Sequence, residues 1–178
     1  MASVSKYPLA PDSEVVLRLL SLLKVRSRKS LQKLIYLLQK AEKVPLSLDY
    51  RMYYYGPYSR ELDHKIRMLE LLELVEVDRD VNGIPTYHLI ESVGSSLEAD
   101  AELDSKLDRV VRRFGNMTPN DLELLTSVHY LATAHEGASK DVDRLFQEIL
   151  AWKGPKFTHR QLESALEKLR ELGYLAAE

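Results

Sequence analysis

Residues 74–90, LVEVDRDVNGIPTYHLI, constrain the fold more than any other stretch. Asn82-Gly83 is the favoured pair for a two-residue type I′ turn, because both central positions need positive φ. Val75 and Val77 lead into the turn, and Tyr87 and Leu89 lead out of it. That alternation predicts a β-hairpin with one buried face. A helical pattern ends just before it, with Leu62, Ile66, Leu69 and Leu72 as a core stripe and Ser59 as N-cap.

Two further helices precede that one. Val16, Leu19, Leu20 and Leu23 recur at helical spacing behind Asp12 or Ser13 as N-cap. Leu31, Leu34, Ile35 and Leu38 do so behind Ser30, and Pro45 closes the pattern. From Leu46 the period changes to two. Leu46, Leu48, Tyr50, Met52 and Tyr54 share one side, with Tyr53 and Tyr55 on the other, until Gly56-Pro57 turns the chain. Three helices followed by a two-stranded hairpin make a winged helix-turn-helix plan. The tyrosines are then expected to pack and shape the turn that aims the third helix, rather than to stack on a ligand.

Beyond the hairpin, SVGSS reads as a joint, and residues 97–114 as an acidic helix with Leu103, Leu107, Val110, Val111 and Phe114 inward. Thr118-Pro119 opens a helix running to about His135. Ser139 starts another that ends near Trp152, and Thr158 with Gln161 forms a capping box for the last, which Gly173 stops. Leu62, Ile66, Leu69, Leu72 and Val75 are echoed 100 positions later by Leu162, Leu166, Leu169, Leu172 and Leu175. The fold class expected is therefore mainly α with a small β-hairpin: a winged helix-turn-helix followed by a helical C-terminal domain. The parts are a flexible arm (1–11), the winged-helix domain (12–92), a connecting helix (93–116) and a helical domain with helix-turn-helix character (117–178).

The segment KLIYLLQKAEKVPLSLDYRMYYYGPYSRELDHKIRMLELLELVEV, with TYHLIESVGSSL beyond it, resembles the YwgA-like group of winged-helix proteins. More distantly it is similar to the Panacea domain of antitoxins. The resemblance covers roughly residues 28–95 and is most specific at Tyr55-Gly56-Pro57-Tyr58-Ser59. It implies a winged-helix fold, with DNA binding or toxin neutralisation as the function and no catalytic residues. The chain departs from the group at Glu73, where glycine is usual before the strand.

Charge sharpens the functional expectation. The formal net charge is −2, yet residues 1–67 carry +7 and the remainder −9. Such asymmetry suits a basic surface that meets a polyanion, the alternative being that helical surfaces simply need charge of some sign. Lys24, Arg26, Arg28, Lys29 and Lys33 could grip backbone phosphates at the junction of the first two helices. Arg60, His64, Lys65 and Arg67 lie on the third helix, which enters the major groove in helix-turn-helix proteins, and Arg79 lies in the wing. Glu61, Asp63 and Glu70 on the same helix oppose that reading, since carboxylates repel phosphates.

Catalytic signatures such as G-x-S-x-G, a Walker A loop or H-E-x-x-H do not occur, and the histidines are not at metal-pair spacing. The chain holds no cysteine, which removes thiolate chemistry and suits a reducing, cytoplasmic setting. No apolar run approaches a membrane span. The expected function is a non-enzymatic, transcription-regulator-like protein bound to double-stranded DNA, without cofactor or metal. The alternative is a protein-interaction module of antitoxin or adaptor type, with a partner such as a toxin. The helix in residues 95–114 could pair with its own copy in a homodimer, hold that partner, or pack on the chain's own C-terminal bundle.

Overall fold

A computed structural model describes residues 9–94, 97–134 and 141–176. The protein is mainly helical with a small antiparallel sheet. Its elements run α1 (Pro11–Leu22), β1 (Val25–Arg26), α2 (Arg28–Lys40), β2 (Arg51–Tyr53), β3 (Gly56–Tyr58), α3 (Arg60–Leu71), β4 (Val75–Arg79) and β5 (Pro85–Leu89). They continue α4 (Glu91–Gly94), α5 (Ala101–Phe114), α6 (Pro119–Ala132), α7 (Val142–Lys153) and α8 (His159–Glu171). No described helix is long and apolar enough to cross a membrane.

The chain divides into two units. The first holds the chain up to Tyr50 together with Ser59–Met117; the second holds Arg51–Tyr58 and the chain from Thr118 onward. In the first unit β4 and β5 pair antiparallel, Val75 opposite Leu89 and Arg79 opposite Pro85, so the expected hairpin forms. Its turn is not the expected two-residue type I′, because Asn82 does not take positive φ; Gly83 N donates to Asp80 O (2.9 Å) and Asp80 N to Ile84 O (3.1 Å), closing a longer loop. Gly83 adopts φ +74°. The hairpin has an unforeseen third member: β1 lies against β5, Val25 opposite Tyr87 and Arg26 opposite Thr86. Val25 and Tyr87 point inward from this sheet and are buried.

Ser59 caps α3 through its hydroxyl, which accepts from Leu62 N. Gln32 fixes the height of that cap on α2. Its side-chain amide donates to Ser59 O (2.9 Å), and its carbonyl accepts from Ser59 N (3.0 Å). Two ends differ from expectation. Pro11 occupies the first turn of α1, where its missing N–H costs nothing, so the helix begins inside the expected arm. Ser27, with φ +73°, caps α2 three residues ahead of the expected Ser30.

Helix α5 packs on α1 and α2. Leu107, Val110 and Phe114 are all 0 % exposed. Three of the five stripe residues are thus covered within the first unit, while Leu103 and Val111 are half-buried.

The second unit is built around α6, buried on every side from Leu122 to His129. Helices α7 and α8 and strand β3 pack on it. Thr118 caps α6 and the Thr158–Gln161 capping box opens α8, both as expected. Helix α7 starts from an Asp141 cap; the expected start at Ser139 and the expected end of α6 at His135 fall outside the described residues.

Candidate functional site

The cations expected to meet DNA all lie in the first unit, and acids from the same unit engage several of them. Arg26 Nη2 donates to Asp80 Oδ2 (2.6 Å). Arg28 joins three elements: it donates to Tyr87 Oη (2.9 Å), Asp63 Oδ1 (2.8 Å) and Glu70 Oε1 (2.6 Å). Burial alone would lower its pKa, but the hydrogen bonds to Asp63 and Tyr87 outweigh that and raise it above the usual arginine value. Arg28 is a clamp between α2, α3 and β5.

Lys33 is 1 % exposed, because α2 is buried all round from Ser30 to Leu38. An interior ammonium cannot grip a phosphate backbone, so Lys33 leaves the expected set. Lys29 is half-buried, and Lys65 lies 3.5 Å from Asp12. Lys24, Arg26, Arg60, His64, Arg67 and Arg79 are exposed. Of these, Arg67 donates to Asp63 (3.1 Å) and Arg79 to the Gly83 carbonyl (3.2 Å). This face mixes charges of both signs and largely neutralises itself.

The second unit carries the more distinctive constellation. Strands β2 and β3 pair with Tyr53 opposite Gly56, so the chain reverses at Tyr54-Tyr55 and not at Gly56-Pro57. Gly56 takes φ +86°, a region glycine enters without steric cost. The reversal ends the alternation at Tyr53 and throws Tyr54 outward, against the expectation that it shares a buried face with Met52. Tyr54 and Tyr55 are 52 % and 59 % exposed, their rings edge-to-face with centroids 4.9 Å apart.

A buried ionic network holds this aromatic tip. Glu123, on α6, is 0 % exposed. Its carboxylate accepts from Lys153 Nζ (3.0 Å), and both its oxygens accept from Lys156 Nζ (2.9 and 2.8 Å). Lys153 also donates to the Tyr54 carbonyl (2.6 Å), which pins the turn. Lys156 Nζ sits 5.4 Å from the Tyr55 ring centroid and 6.0 Å from that of Tyr54. A cation at that distance is attracted by the ring quadrupoles. The outcome is a pair of aromatic edges and faces beside a partly exposed ammonium, suited to a flat π-system that also carries negative charge.

Sequence reasoning missed Glu123, Lys153 and Lys156. The available signal was a charge set between Leu122 and Leu124 on an otherwise apolar run, which must find a buried partner.

No family model matches the chain. It is 33 % identical over 158 residues, 85 % of its length, to the DNA ADP-ribosyl glycohydrolase of Thermus aquaticus. The chain covers only 43 % of that relative's length. This likeness to a hydrolase overturns the non-enzymatic, DNA-binding, transcription-regulator-like reading, and with it the expectation that the chain has no part in enzymatic chemistry. It is also 28 % identical over 149 residues to the uncharacterized protein YwgA of Bacillus subtilis, covering 82 % of this chain and 86 % of YwgA. The chain is a distant relative of YwgA, which supports placing it in a YwgA-like family.

Proposed function

We propose that the chain takes part in the hydrolysis that frees ADP-ribose from DNA, as the counterpart of the segment of the glycohydrolase that it matches. The observation that carries this reading is the 33 % identity over 158 residues, which covers 85 % of the chain. The relative has further length with no counterpart here, so the chain is read as one working part of that reaction. In this reading the Tyr54–Tyr55 tip engages the substrate. Both bases in an unpaired strand and the adenine of ADP-ribose offer flat π faces next to phosphate, which the paired rings and Lys156 complement.

The order α1, α2, α3 and the β4–β5 hairpin, with β1 added to its edge, supports a winged helix-turn-helix reading of the first unit. In that arrangement the exposed Lys24, Arg60 and His64 would face the nucleic-acid backbone, Arg26, Arg67 and Arg79 being engaged by Asp80, Asp63 and the Gly83 carbonyl.

The test is fluorescence titration of a single-stranded oligonucleotide, with and without one ADP-ribosyl group, against the intact chain. Release of free ADP-ribose is followed in the same samples by chromatography. Tighter binding of the modified strand is expected, weakened roughly tenfold by Tyr54→Ala or Tyr55→Ala, the worth of one stacked base. Equal affinity for the two strands, with no ADP-ribose released, would sink the proposal.

A further inference from the structure

The outward face of the β4–β5 hairpin brings together three side chains that sequence spacing does not unite. Glu76 and Asp78 are two apart on β4 and therefore share a face; His88 on β5 stands directly opposite Glu76. Val75 and Tyr87, on the alternate positions, fill the core beneath. One ligand-capable atom from each of Glu76, Asp78 and His88 lies within 4.8 Å of the others. His88 Nε2 already faces the cluster, 3.0 Å from Asp78 Oδ2. The nearby guanidinium of Arg26 is committed to Asp80, not to this cluster. Among the described residues no hydrogen bond or ion pair engages the Glu76 carboxylate.

We infer that Glu76, Asp78 and His88 form a binding site for a divalent transition-metal ion. An imidazole nitrogen with two carboxylate oxygens suits zinc and its first-row neighbours, whereas magnesium and calcium favour all-oxygen sets. The paired strands hold the donors in register before any ion arrives, so little chain ordering accompanies binding. Glu76 and Asp78 are exposed, which gives the ion a direct path in and leaves its remaining coordination positions to water. Three protein ligands with an open position is the pattern that keeps a reactive site on zinc. The inference stands on the hairpin geometry alone and is independent of the glycohydrolase reading.

Isothermal titration of the chelator-treated full chain with zinc chloride tests it, with manganese chloride as the second probe. One saturable zinc site per chain is expected. His88→Ala and Asp78→Asn should each weaken it at least tenfold, the least that losing a direct ligand should cost given that outer-shell changes cost 10–100-fold. His159→Ala should leave it unchanged; that histidine, paired with Asp143 on the second unit, is the competing imidazole–carboxylate contact. Broadening of the backbone amide signals of Glu76, Asp78 and His88 by manganese reports location without any substitution, so a poorly folded variant does not mask the outcome. No saturable zinc binding, binding untouched by His88→Ala, or broadening centred elsewhere would each overturn the assignment.

Discussion

Glu73 holds φ +56°, a left-handed conformation that a side chain disfavours. One hundred positions on, Gly173 holds φ +72°. The two helix ends are closed alike. Leu74 N donates to Leu69 O (3.0 Å) and Glu73 N to Glu70 O (3.1 Å), while Tyr174 N donates to Leu169 O (2.9 Å) and Gly173 N to Arg170 O (2.9 Å). Glu73 thus occupies a helix-end position shaped for glycine. Replacing Glu73 with glycine is expected to stabilise the protein by about 0.5–1 kcal/mol, since relief of strain exceeds the added freedom of the unfolded chain. A urea midpoint that stays put or falls would contradict this account. Tyr50 makes a pH prediction at the same scale. It is buried against Tyr36, ring centroids 5.1 Å apart, and burial pushes its phenol well above the usual value. The unfolded chain releases this proton near pH 10 and the folded chain only at higher pH. Its share of stability is therefore whole below about pH 10 and lost as pH rises beyond it. Tyr50→Phe should flatten the alkaline fall in melting temperature; an unchanged slope counts against it.

The elements legible in the sequence are those whose cause is local. The β4–β5 hairpin, the caps at Ser59 and Thr118 and the Thr158–Gln161 box each depend on a few neighbouring residues, and each forms where its chemistry dictates, although the hairpin's loop is longer than the two-residue turn that Asn82-Gly83 suggests. What escaped depends on distant partners. Strand β1 is two residues long, too short for any periodicity, and exists because β5 offers it an edge. The reversal at Tyr54-Tyr55 was displaced by two residues because alternation does not say where a strand ends. Lys33 looks solvated in a basic run, yet α2 is covered on all faces. The Glu76–Asp78–His88 cluster is invisible along the chain because only strand pairing brings position 88 to position 76. For the aromatic tip, the tyrosines were visible but their support on α6 and α7 was not. That support yields its own prediction. Lys153→Met leaves the buried Glu123 paired with Lys156 but one lysine short, and the Tyr54 carbonyl without that donor, and should cost about 1–3 kcal/mol. Chemical denaturation measures it, and a loss under 1 kcal/mol would remove the network from its anchoring role.

At the scale of the molecule, the two units are not two consecutive lengths of chain. The path leaves the first unit after Tyr50, supplies residues 51–58 to the second, and returns at Ser59. A single cut at Met117 therefore separates the tyrosine hairpin from the helices that bury its inner side, Met52 and Pro57 included. The same threading imposes an order on birth at the ribosome. The hairpin emerges early, whereas α7, whose Lys153 pins its turn, is completed 95 residues later (153 − 58), a wait on the order of ten seconds at about 5–20 residues per second. Throughout that wait Met52 and the neighbouring tyrosines are a sticky ribbon held out by a half-made protein.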